Sequence, residues 1–105
     1  MLKNIYTIYD QKTREFLHPF ISINEEVATR DFYNTLASVP TMQQHPKDFD
    51  LYYVGTFDTD DGNVSRSETV QFIIKGLDCV TLIQQESNAD ETTQSEPQVG
   101  NESPV

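Results

Sequence analysis

Between Ser22 and Pro40 the chain carries one clear helical pattern, and the segments on either side of it alternate like strands. Ser22 precedes Glu25 at the spacing of a capping box, and Asn24 is an alternative cap. Glu25 and Glu26 put negative charge where the helix dipole favours it. Ala28, Phe32, Leu36 and Val39 then recur at helical spacing, so all four share one narrow apolar face. Pro40 closes the helix, because it has no N–H to donate and its ring clashes with the preceding turn.

The flanking segments read at period two. Asn4–Tyr9 sets Ile5, Thr7 and Tyr9 on one face and Tyr6 and Ile8 on the other. After the polar break Asp10–Thr13, Glu15–Leu17 can return as a short partner strand, which His18-Pro19-Phe20 stops. His45–Phe49 reads as a turn into a strand over Leu51–Phe57, with Leu51, Tyr53 and Phe57 opposed to Tyr52, Val54 and Thr56. Gly55 inside that strand marks a bulge or a close backbone approach. Asp58–Asn63 is a hairpin turn with Gly62 at its tip. Val64–Ser67 begins the return, Thr69–Ile74 forms a further strand, and Leu77–Ile83 is a short strand or a cap on the domain. The order predicts an α+β fold: a small antiparallel β-sheet with one main α-helix packed on one face.

The chain has 105 residues, room for one small domain, and 36% of them are hydrophobic. That fraction is low for a compact domain, and the shortfall is concentrated at one end. Residues 86–105 hold Glu86, Asp90, Glu91, Glu96 and Glu102, no base and no aromatic. Such a segment buries too little surface to offset its conformational entropy, so a domain over 1–85 followed by a disordered acidic tail over 86–105 is expected. No apolar run is long enough to span a bilayer, and Met1–Asp10 lacks the apolar stretch of a signal peptide, so neither membrane nor export is expected.

The chemistry these residues can support is narrow. Cys79 stands alone, which excludes an internal disulfide and a thiolate zinc cluster; it reads as a small buried hydrophobe. His18 and His45 each precede proline and belong in exposed turns. Asp58, Asp60, Asp61 and Gly62 suggest a calcium loop, but counted from Asp58 the glycine falls at position 5 and Thr69 at position 12, so the register fails. No nucleophile–base pair, carboxylate pair or metal set can be assembled, so neither catalysis nor a cofactor is expected. Seventeen acids face seven bases, a net charge of -10, which opposes electrostatic attraction to nucleic acid or to an anionic membrane.

Two blocks carry a resemblance. Ile5–Phe20 reads IYTIYDQKTREFLHPF and His45–Val64 reads HPKDFDLYYVGTFDTDDGNV, with the step Ala28-Thr29-Arg30-Asp31-Phe32 between them. Together, over about two-thirds of the chain, they resemble the small non-structural protein of gokushoviruses, the single-stranded DNA phages of the Microviridae. That resemblance implies a non-virion protein of the host cytoplasm, engaged with single-stranded DNA during genome synthesis or packaging, with no catalytic motif.

A base-stacking surface needs exposed aromatics beside cations. Tyr6, Tyr9, Tyr52 and Tyr53 are available, and at most one of Tyr52 and Tyr53 faces solvent if a helix covers one side of the sheet. The candidate contacts are Lys12 and Arg14 in the first turn region, Arg30 on the helix, and Tyr52. The same tyrosines serve equally well as core and sheet-edge residues. A negatively charged domain with free sheet edges also suits a protein partner, either a phage or host replication protein or a second copy of the chain in a homodimer.

Overall fold

The structure is a computed structural model and describes residues 1–94, with side chains through Glu86. The elements are β1 (Leu2–Asp10), β2 (Glu15–Phe16), β3 (Phe20–Ser22), α1 (Glu25–Ser38), α2 (Pro40–Gln44), a 3-10 turn (Pro46–Asp48), β4 (Phe49–Asp58), β5 (Val64–Lys75) and α3 (Gly76–Gln94). All the strand pairings are antiparallel, in the order β2-β1-β4-β5, and β3 adds to β1 beside β2. The fold is α+β, with the helices on one face of the sheet.

Alternation decides which face that is. Tyr6 and Ile8 of β1 and Leu51 of β4 point toward Ala28, Phe32 and Leu36 of α1, and Met42, Phe49 and Cys79 complete the buried core. Tyr53 and Phe20 pack on Tyr6 at ring-centroid distances of 5.7 and 6.0 Å. Burial pushes the Tyr6 phenol up in pKa, and the Asn4 side-chain N–H that donates to its hydroxyl opposes the shift.

Four features differ from the sequence reading. The cap of α1 is Asn24, whose Oδ1 accepts from the Val27 N–H at 2.8 Å, while Ser22 closes β3 and donates to the Asn24 carbonyl. Ser22 cannot do both, because pairing with Asn4 fixes it in the sheet. Asn24→Ala is therefore expected to cost about 1 kcal/mol, and Ser22→Ala to leave the helix start intact, as a pair of denaturant titrations would measure.

The second difference is Val39, which falls off the buried stripe and is 39% exposed, because the helix has ended and Val39 has turned to extended backbone. Pro40 stops α1 as expected and, one residue on, opens α2 from its first position, where a missing N–H costs nothing. Third, His18-Pro19 interrupts the β2 pairing, yet the chain rejoins β1 at Phe20–Ser22.

Fourth, Leu77–Ile83 is neither strand nor terminal cap but the first half of a second long helix, α3, so the helical layer holds two long helices rather than one. Cys79 is fully buried there, and its Sγ meets the Thr29 carbonyl at 3.5 Å. Periodicity does not separate so short an apolar run from a strand. α3 is described as far as Gln94, within the segment 86–105 expected as a tail. The rest of that segment, 95–105, lies outside the described residues.

Burial alone pushes the Cys79 thiol up to about 11, well above the ordinary value near 8.5. A group held neutral in this way favours the folded chain most below the unfolded pKa, and that advantage declines as pH rises from about 8.5 toward 11. Cys79 is expected to be inert to an aromatic disulfide reagent at pH 8 until denaturant unfolds the chain. Stoichiometric reaction of the native protein would contradict the packing of α3 on α1.

Candidate nucleic-acid interface

The face of the sheet away from the helices is aromatic. Tyr9 of β1, Phe16 of β2, Tyr52 of β4 and Phe72 of β5 form a row that crosses the sheet. Ring-centroid distances are 4.7 Å for Tyr9–Phe16, 5.4 Å for Phe16–Tyr52, 6.2 Å for Tyr9–Tyr52 and 5.7 Å for Tyr52–Phe72. All lie in the range where aromatic rings attract, mostly edge to face. Tyr9 and Tyr52 are half-buried, while Phe16 and Phe72 are 49% and 55% exposed. Rings that hold one another in place yet keep part of their surface in water are poised to accept a flat partner.

Each ring reaches this face for a local reason. Tyr9 and Phe16 are register partners at the closed end of the β1–β2 hairpin. Tyr52 follows from alternation, since its neighbours Leu51 and Tyr53 turn inward. Phe72 depends on a bulge. Leu51 pairs with Ile74 and Tyr52 with Phe72, so Ile73 is an extra residue in β5. Strict alternation would have set Phe72 and Ile74 on the same face. The bulge sends Ile73 and Ile74 toward the helices and leaves Phe72 opposite Tyr52, the re-aiming of a side chain that bulges bring about.

A larger irregularity follows. Tyr53 pairs with Gln71 and Gly55 with Arg66, so Val54 alone stands against the four residues Ser67–Val70, and the Gln71 amide donates to the Ser67 hydroxyl across the excursion at 3.1 Å. Where β5 rejoins, its backbone crosses tightly over Gly55. A Cβ there would collide with the Ser65 carbonyl oxygen and stand 2.8 Å from the Arg66 Cα. The close backbone approach expected at this glycine is thus present, and it is β5 that approaches.

The candidate residues divide between the two sides of the protein. Lys12 and Arg14 are exposed in the turn between Tyr9 and Phe16, where Lys12 borders a depression with Thr41, His45 and Lys47 on the helical side, and Tyr52 is in the row itself. Arg14 has a left-handed backbone, φ 63, and the Asp10 carboxylate accepts from the Lys12 and Thr13 N–H groups, which shapes the turn. Arg30 is exposed on α1, in the helical layer, and takes no part in this face. Tyr6 and Tyr53 belong to the core side. Phe16 and Phe72 are functional candidates that sequence reasoning missed. Phe16 was legible as the residue opposite Tyr9 in a two-strand turn, whereas Phe72 needed the bulge.

Of the acids beside the row, Glu15 is exposed next to Phe16, while Asp50 is held inside the fold. Asp50, the register partner of Tyr9, is buried, and its Oδ2 accepts from the Gln11 side chain at 2.8 Å; Oδ1 has no partner among the described residues. The exposed acids of Asp58–Asp61 lie at the opposite end of β4, in the hairpin turn. There Gly62 adopts φ 79 and Asp58 and Asp61 accept backbone N–H groups at 2.9 Å. The Asp60 N–H first, and then the Met1 ammonium, hold the Asp58 carboxyl below the usual range. The failed calcium register is thereby explained: these carboxylates build the turn. His18 and His45 are exposed, as expected. Among the described residues no three His, Cys, Asp or Glu side chains gather into a metal-binding group, and no helix is long and apolar enough to cross a membrane.

Fold and face together define a small α+β domain whose sheet leaves one aromatic face uncovered. A family model described as Phage ORF5 protein matches residues 3–79, and the chain belongs to that family. The match covers β1 through the buried first turn of α3, so it takes in both the core and the aromatic row. It is a bacteriophage protein. No curated protein and no solved structure matches it.

Proposed function

We propose that this phage protein binds single-stranded DNA across the uncovered face of its sheet, as a non-structural accessory to genome synthesis or packaging in the host cytoplasm. The observation that carries the reading is the row Tyr9–Phe16–Tyr52–Phe72. Exposed aromatics in line across neighbouring strands let successive unpaired bases stack, which contributes about 1–3 kcal/mol per base and tolerates any sequence. Duplex DNA keeps its bases stacked inward and gains nothing from such a surface. The resemblance to the gokushovirus proteins supports the same ligand.

The charge balance assigns the work among these residues. With so few bases, phosphate contacts are few, and we assign them to Lys12 and Arg14, which are exposed in the turn that joins Tyr9 to Phe16. If each neutralises one phosphate, the logarithm of the affinity falls against the logarithm of the salt concentration with a slope of about -1.4. Fluorescence anisotropy with labelled single-stranded oligonucleotides at 50 and 200 mM salt (roughly a sevenfold difference on that slope) tests the reading. Lys12→Ala with Arg14→Ala is expected to flatten the slope and weaken binding equally for all sequences. Arg30→Ala, on the far side, is expected to leave it unchanged. No signal at tens of micromolar protein in low salt would remove the proposal.

A further inference from the structure

The side of the molecule opposite the aromatic row holds a second surface, independent of the first. Where α1 and α3 part beyond the Cys79–Thr29 contact, they leave a groove of about 440 Å³ floored by Ile73 and Ile74 of β5. Its walls are Tyr33 of α1 and Leu82 of α3, the latter 43% exposed. Leu82 therefore shows water an apolar surface next to two isoleucines that the β5 bulge has turned to this side. Around the rim stand Glu25 and Glu26 from the start of α1 and Glu86 from α3, with Arg30 the one cation among the lining residues.

From this we infer that the groove takes a basic amphipathic helix supplied by a protein partner. A third helix laid beside α1 and α3 would extend the existing layer at ordinary interhelical spacing, its apolar stripe on Ile73, Ile74 and Leu82. Its lysines or arginines would meet Glu25, Glu26 and Glu86. Charge excludes the other occupants. Residues 95–105 of the chain contain Glu96 and Glu102 and no base, and a second copy brings a net charge of -10 to an acidic rim. A nucleic-acid strand meets the same repulsion. The two faces of the sheet then serve different partners.

The probe is a synthetic lysine–leucine helix whose leucines repeat at helical spacing, compared with a peptide of the same composition in scrambled order. Fluorescence anisotropy against the full chain is expected to show the striped peptide binding at least 10-fold more tightly than the scrambled one. Glu25→Lys with Glu26→Lys and Glu86→Lys, all exposed positions, is expected to weaken the striped peptide at least 10-fold, and Leu82→Ser to weaken it severalfold. As a check that needs no variant, backbone amide shifts induced in the wild-type chain should centre on Tyr33, Ile73 and Leu82. Equal affinity for both peptides, indifference to the charge reversals, or shifts centred on Tyr52 and Phe72 would each overturn the inference. None of these results depends on whether DNA binds the other face.

Discussion

Phe16→Ala combined with Phe72→Ala is expected to weaken single-stranded DNA binding by roughly 30-fold or more, since each lost stacking partner contributes at least about 1 kcal/mol. These two rings are the informative pair because both are about half exposed, at 49% and 55%, so removing them takes little from the core. Tyr9 and Tyr52 remain between them as a shortened platform. The far-ultraviolet circular dichroism and the unfolding midpoint of the double variant should stay near those of the parent chain, whereas its anisotropy titration should not. The loss should also be insensitive to salt, unlike the effect of Lys12→Ala and Arg14→Ala, because stacking releases no counterions. Unchanged affinity in a folded double variant would show that bases do not lie on this face.

The largest expected loss of stability is at Phe32. It is completely buried between α1 and the sheet, and Phe32→Ala is expected to cost about 3–5 kcal/mol, the transfer free energy of the ring plus the cavity left behind. A small domain has only about 5–15 kcal/mol in hand, so the variant should be partly unfolded at physiological temperature. Val39→Ala is the control. In the sequence the two residues belong to one apolar stripe, but Val39 is 39% exposed past the end of α1, and its truncation should stay within about 0.5 kcal/mol. Chemical denaturation of the two variants separates a stripe that is uniformly buried from one that ends at Leu36.

That contrast shows how far local pattern reaches. The stripe Ala28, Phe32, Leu36 was legible because helical spacing is a property of neighbours, and so were the alternation of β1, that of Leu51–Tyr53 in β4 and the turn at Gly62; Phe57 was not, because Val54 is an extra residue against β1 and takes Phe57 out of the phase of Leu51 and Tyr53. Val39 was not, because its burial depends on where α1 stops against the sheet. The cap was similar: Ser22 and Asn24 both fit an N-cap, and only the pairing of Ser22 with Asn4 removed it from the choice. Of the candidate residues, Tyr52 could be set opposite Leu51 and Tyr53 by counting, and Lys12 and Arg14 in the turn that follows Tyr9. Arg30 could not be assigned a side from spacing, since its azimuth on α1 has meaning only once α1 has been laid on the sheet.

By itself the sequence determined the class of the fold, the sharp ends of its hairpins and one helix, because these rest on interactions between near neighbours and on residue types alone. The tertiary structure decided the rest. It made a helix of Leu77–Ile83 by offering α1 and the 3-10 turn as packing surfaces. It placed one extra residue, Ile73, in β5, which turned Phe72 into the aromatic row and two isoleucines into the groove. A bulge is set by the register between distant strands, and register is an energy of the assembled sheet rather than of any segment within it.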